Sequence, residues 1–291
     1  FESPLWYAID GEKPEFKYSF GYQNWYKSAQ NETVNTRKNV GFFELTPFAK
    51  FEIEGEAAYS SLQYLCSNDI KNNDGAITYT QMLNSKGGIE ADLSVTCISK
   101  NKFRIITGSG VREHDKKHIL RYLDQDVKFT DITDSYSCFG IFGPKSRSLL
   151  TQMVGNEFEN NKFPFGTGKF LKINNIDIWF QRLSYVGELG WELYIPIKES
   201  KKIYEIINNI GKNFNMVHAG RLAMDIMRME KGYLHWGHDI SPAENPYESG
   251  LDFAVKENKD FEFLGKKSLL NNKSNQKKTT GDVYFNRLKS W

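Results

Sequence analysis

The sequence predicts an α+β fold of two domains, each an antiparallel sheet with flanking helices. A strict period-2 apolar row, Ile89, Ala91, Leu93, Val95 and Cys97, stands between the turn signals Ser-Lys-Gly-Gly at 85–88 and Asn101. Turns that short join antiparallel neighbours, because a parallel return needs a long crossover. Apolar residues at helical spacing recur beside such strands, at Tyr59, Leu62, Leu65 and Cys66 and again at Ile203, Ile206, Ile207 and Ile210. The 291 residues, 40% of them apolar and 14% aromatic, supply more core than one small domain uses.

Residues 1–35 carry aromatics without a clean period and read as a connecting segment draped over something else. Phe51 and Ile53 alternate with charged neighbours as a half-buried strand that Gly55 stops, and a helix follows through Cys66. Residues 76–84, 89–97 and 103–107 form a meander. A helix over 111–123, strands over 127–133 and 136–142, and a helix opening at Pro144 complete a first half, 36–154. The Phe/Gly/Asn-rich stretch 155–168 is the expected boundary. In the second half, 155–270, residues 170–173 and 176–185 form a hairpin around Asn174-Asn175, and 191–195 is a further strand. Helices are expected over 198–210 and 218–231, the latter with Leu222, Ile226 and Met229 at core spacing. Residues 271–291 are rich in Asn, Lys, Ser and Thr and read as a polar tail.

Composition narrows the function. Thirty-eight basic against 36 acidic residues leave a formal charge of +2, which argues against a nucleic-acid partner. No apolar run is long enough to span a bilayer, so no membrane partner is expected. Three widely spaced cysteines, Cys66, Cys97 and Cys138, fit neither a disulfide framework nor a zinc site and suit a reducing compartment. The segment opening at Phe1 has no basic region followed by an apolar stretch, so no signal peptide is expected. His235 and His238 lack a third clustered ligand, so no metal is expected there. The pairs Gly108/Gly110 and Gly166/Gly168 lack the strand–glycine–helix context of nucleotide-binding loops, and no P-loop exists.

Asp92 shares its strand face with Glu90, Ser94 and Thr96. Asp is depleted in strand interiors, and a carboxylate there, partly desolvated, can accept a proton near neutral pH; a solvated outer face is the competing reading. In Ser-Tyr-Val-Gly-Glu-Leu-Gly-Trp-Glu over 184–192, the glycines allow close backbone approach and Tyr185 offers a stacking face. Glu192 can accept two N–H bonds from a planar heterocycle, although a glycine-rich hairpin with an aromatic plug fits the same letters. Asp225 and Arg228 are i, i+3 partners, for which surface ion pairing is the default.

Four ordered segments, 41–51, 84–96, 184–194 and 228–240, resemble the glycine-cleavage T-protein (aminomethyltransferase) superfamily. Phe-Gly-Tyr-Gln-Asn-Trp-Tyr at 20–26 and the Trp-Gly-His-Asp run at 236–239 make the chain most similar to the folate-binding region of dimethylglycine and sarcosine dehydrogenases. The resemblance runs from about residue 4 to residue 270. It implies two folate-binding subdomains, 36–154 and 155–270, and tetrahydrofolate as cofactor. Asp92 then matches the catalytic aspartate, Tyr185 and Glu192 the pterin-side tyrosine and glutamate, and Arg228 a further arginine of the site. It implies one-carbon transfer from an N-methyl-amine-derived iminium or aminomethyl group, giving 5,10-methylenetetrahydrofolate. Expected partners are a small amine substrate and an FAD-dependent oxidoreductase domain or subunit, FAD itself being held only there. The expected location is the cytoplasm, or the mitochondrial matrix in a eukaryote. Two departures from the family are expected: no C-terminal barrel, and Gly108 near the place of a folate-contacting Asn. Competing readings are a folate-dependent sulfonium demethylase and a non-catalytic folate-binding or scaffold module of a flavoprotein. Tyr233, where the iron–sulfur maintenance relatives have Cys, counts against a module of that branch.

Overall fold

The computed structural model describes residues 3–9 and 11–273 and divides into two compact units. Within the described residues the first draws on the chain up to Pro47 and on Asp134–Tyr233, and the second on Phe48–Thr133 and the chain from Leu234.

In the first unit, α1 (Tyr26–Lys38) leads into β1 (Val40–Glu44); after the excursion into the second unit come β7 (Tyr136–Phe142), α4 (Ser146–Val154), β8 (Gly168–Ile173), β9 (Ile176–Gln181), β10 (Gly190–Pro196), α5 (Ser200–Gly211), β11 (Met216–Ala219) and α6 (Arg221–Glu230). The sheet order is β11-β1-β7-β10-β9-β8, with only the β1/β11 pair parallel. Trp191, Leu193 and Ile195 of the central strand β10 enter a core with Phe42, Ile141, Leu149, Leu150, Ile203 and Ile207. Glu192 and Tyr194 therefore point to the other face, and both are buried as well.

The second unit holds β2 (Ala49–Glu54), α2 (Ala58–Leu65), β3 (Ile77–Leu83), β4 (Ile89–Ser99), β5 (Lys102–Thr107), α3 (Arg112–Tyr122), β6 (Lys128–Asp131) and α7 (Lys266–Lys273). Its sheet runs β3-β4-β5-β2-β6 and is antiparallel throughout. Ala91, Leu93, Val95 and Cys97 of the period-2 row enter its main core, while Ile89 packs with Ile240, Leu251, Phe263 and Leu269. Lys259 anchors the returning chain: its ammonium donates to the carbonyls of Gln63, Cys66 and Asn68 and to Gln63 Oε1. Burial pulls its pKa down to about 8.

Several expectations change. The 155–168 connector is no domain boundary, because Phe158 and Phe163 are buried against Trp191 in the first unit's own core. A chain that enters and leaves the second unit replaces the division at residue 155. Residues 26–38 are a helix rather than drape. The helix expected from 218 begins at Arg221, since 216–219 pair with β1 and Gly220 leaves no room for a side chain: a Cβ there would lie 2.3 Å from the Leu5 carbonyl oxygen. In α6 the buried residues are Ala223, Met227 and Arg228; Met229 is exposed. The tail expected from 271 overlaps the end of α7, and 274–291 lie outside the described residues.

Candidate functional site

Asp92 sits in the middle strand of the β3–β4–β5 meander, half-buried between fully buried neighbours. Gln81, its cross-strand partner on β3, donates from Nε2 to Asp92 Oδ1 at 2.9 Å. Burial pushes the Asp92 carboxyl up to about 6, against hydrogen bonds from Tyr79 and Gln81 that favour the ionised form; the nearby Asp115 charge raises it further. The solvated-face reading does not describe this residue. A carboxyl poised near 6 is suited to exchanging a proton at neutral pH.

Glu192 is 7% exposed on β10, opposite Gly140 on β7 and Gln181 on β9. Tyr194 Oη donates to Glu192 Oε2 at 2.6 Å, and Trp179 Nε1 donates to Gln181 Oε1 at 3.0 Å. Burial drives the Tyr194 pKa far above its ordinary value, so the phenol keeps its proton and remains a donor. A carboxylate fixed this way on a central strand is a pre-organised acceptor for N–H groups.

The hairpin strand ends at Gln181, which leaves Tyr185 in the 182–189 loop instead of on a strand. Its ring stacks with Tyr233 at 6.2 Å and 25°. Arg228 departs furthest from expectation. It is 5% exposed, its Nε donates to Asp225 Oδ1 at 2.9 Å, and its Nη1 donates to the Tyr233 carbonyl at 3.0 Å. The guanidinium thus fixes the residue on which Tyr185 stacks, a task for a buried fork of donors rather than a surface pair.

Arg37, on α1, was not legible as a site residue. Nη1 donates to the Val186 carbonyl at 2.6 Å and to Glu188 Oε1 at 2.9 Å, while Nη2 donates to the Met227 carbonyl at 3.1 Å and to Glu230 Oε2 at 2.6 Å. One side chain therefore clamps the Tyr185 loop to α6. Gly187 completes the packing: its φ is +67°, and a Cβ would lie 2.3 Å from Lys231 Cγ. Nothing in the letters around Arg37 signals this, because its partners lie up to 193 positions away. Arg37→Ala is expected to cost about 2–3 kcal/mol in denaturant unfolding, since it strands two backbone acceptors and two carboxylates. It should also open the 182–189 loop to protease; an unchanged cleavage rate would show the clamp to be idle.

Tyr185 and Arg228 thus belong to one braced cluster, Glu192 to a separate network on β10 of the same unit, and Asp92 to the second unit. A cavity of about 630 Å³ in the first unit is walled by Tyr7, Phe42, Tyr204 and His218 and includes none of these four. The His235 and His238 rings stack at 4.7 Å, and among the described residues no three His, Cys, Asp or Glu are grouped to hold a metal. Cys66, Cys97 and Cys138 are buried free thiols. No helix among the described residues is long and apolar enough to cross a membrane.

The family model described as the GCVT N-terminal domain matches residues 1–259. Mitochondrial dimethylglycine dehydrogenase of Rattus norvegicus is 34% identical over 276 residues, which cover 92% of this chain and 32% of that protein. The chain therefore spans about a third of that relative's length. An aminomethyltransferase of Halothermothrix orenii is 30% identical over 247 residues, 84% of this chain and 68% of that one. The crystal structure of glycine cleavage system aminomethyltransferase T from Bartonella henselae superposes with a TM-score of 0.77 over 90% of this chain and 71% of its own, at 22% identity, a likeness of fold.

Proposed function

This chain belongs to the family of GCVT N-terminal domains, and from that membership we propose that it transfers a one-carbon unit from an N-methyl-amine-derived iminium or aminomethyl group to tetrahydrofolate, forming 5,10-methylenetetrahydrofolate. The observation that carries the reading is Asp92, a carboxyl held by Gln81 between the buried Ala91 and Leu93 and poised near pH 6. Tetrahydrofolate, when bound, supplies the amine nitrogen that receives the carbon. The residues present fit such a ligand: Glu192 is a fixed acceptor for the N–H edge of a planar heterocycle, Tyr185 a braced aromatic face, and Arg228 the residue that keeps that face in place.

Asp92 takes the proton released as the folate amine becomes bonded to carbon, and while ionised it stabilises the adjacent cation. Any flavin needed to oxidise the amine belongs to a domain or subunit beyond these residues. Gln81 keeps one Asp92 oxygen engaged, which leaves the carboxylate with a defined orientation. The test is titration with tetrahydrofolate, followed by mass spectrometry of the folate product formed from dimethylglycine with an amine-oxidising flavoprotein supplied. 5,10-Methylenetetrahydrofolate is the expected product. 5-Methyltetrahydrofolate formed from a sulfonium donor would point to a demethylase instead, and a folded protein without folate affinity would point to a scaffold.

A further inference from the structure

Beside Asp92, the second unit holds a chain of polar groups for which the proposed reaction has no use. His114, on α3, contacts a carboxylate with each ring nitrogen: Nε2 lies 3.1 Å from Glu90 Oε1 and Nδ1 lies 3.0 Å from Asp115 Oδ1. Asp115 is 1% exposed, and its second oxygen accepts from Thr107 Oγ1 at 2.5 Å. Glu90 accepts at Oε2 from Asn84 Nδ2 at 3.3 Å. The His114 ring is seated 5.2 Å from that of Trp236, whose Nε1 donates to the Ile89 carbonyl at 2.9 Å. An imidazole that meets an acceptor at both nitrogens is satisfied as the imidazolium, which donates twice.

The position of this string gives it a role. Glu90 and Asp92 lie two residues apart on one face of β4, and Asp115 acts on Asp92 as a like charge. Two carboxylates of β4 and one of α3 thus lie near one another, with the His114 ring set between Glu90 and Asp115. Other charges nearby are engaged or turned elsewhere: Arg112 bonds Asp131, and Glu113 pairs loosely with Lys116. Burial lowers the pKa of His118, one turn along α3, and Tyr79 and Gln81 face Asp92 from β3.

We propose that His114 is a positioning residue for the acid–base work of Asp92, its imidazolium offsetting Glu90 and Asp115 so that Asp92 is ionised at neutral pH. This rests on reading Asp92 as the group that takes the folate proton. Without the cation, two uncompensated carboxylates would hold a third in its protonated form, unable to accept. Thr107 and Asn84 orient the outer oxygens of the string, so the imidazole cannot turn away without breaking both contacts.

The test is the titration of Asp92 itself, followed by carboxyl ¹³C shifts in the folded chain with Asp92→Asn to assign the resonance. In His114→Gln the midpoint should rise by roughly half a pH unit to one, and in Asp115→Asn it should fall by a similar amount. His114 is 40% exposed, so its replacement tests the idea without threatening the core. An unmoved Asp92 midpoint in His114→Gln, or shifts of the same sign in both variants, would overturn the proposal; a packing role produces no such opposed pair. The acid limb of the transfer rate should move with the midpoint. Opposed shifts in a protein that makes no methylenetetrahydrofolate would uphold the pairing of His114 with Asp92 and remove the folate reaction, so the two readings fail separately.

Discussion

Asp92→Asn is expected to yield a folded protein that has lost one-carbon transfer by roughly 10²–10⁴-fold and that unfolds at a higher temperature than the parent at pH 7. Both effects have one cause. Burial raises the Asp92 carboxyl from its ordinary 3.8 to about 6, so the folded chain binds this proton more tightly than the unfolded chain does. The stability associated with the group is complete below about pH 3.8 and is lost as pH rises through about 6. Above that, holding the ionised carboxylate costs on the order of 1–3 kcal/mol, the free-energy equivalent of moving the midpoint from 3.8 to about 6 with the hydrogen bonds from Gln81 and Tyr79 set against it. Asparagine keeps an acceptor for Gln81 Nε2 and carries no charge, so it escapes this cost. Thermal melts from pH 4 to 8 should show the variant's advantage opening between about 4 and 6 and staying level above. Wild-type transfer in the variant, or a pH-independent gap, would remove Asp92 from its assigned role.

Glu192→Gln is expected to weaken tetrahydrofolate binding by roughly 10–100-fold while leaving the fold and the rate from bound folate largely intact. The Glu192 carboxylate is buried, and Tyr194 already occupies one of its oxygens with a phenolic proton that burial prevents it from losing. Glutamine still offers Tyr194 an acceptor but replaces the other carboxylate oxygen with an NH₂ donor, which the N–H edge of the proposed pterin could not use as an acceptor. Donor then meets donor in a dry place, the mismatch that enzymes use to reject near-isosteres. Calorimetric titration reads the affinity directly, and steady-state rates should show KM rising with kcat kept, the reverse of the Asp92→Asn pattern. Unchanged affinity would place the pterin elsewhere.

Legibility in the sequence followed the kind of face an element buries. The β4 row could be read because burial alternates from Ile89 to Val95, and α5 because Ile203 and Ile207 recur on one side. Helix α1 was hidden because the face it buries is Ser28, Ala29, Glu32, Thr33 and Thr36. Glu32 belongs inside because its carboxylate accepts from the Tyr7 and Gly220 amides at 2.7 and 2.8 Å, partners that no local period reveals. The β11 strand is four residues long and ends against Gly220, too short to separate from the helix that follows.

The sequence by itself determined the α+β class and most element positions and nominated the four candidate residues, since alternation, helical spacing and ordered motifs are local properties of the chain. Only the tertiary structure decided the interleaved units, the burial of Arg228, the Arg37 clamp and the Glu90–His114–Asp115 string. Each of these depends on which distant group comes to satisfy a buried charge or carbonyl. That is set when whole elements pack, and no neighbourhood of letters encodes it.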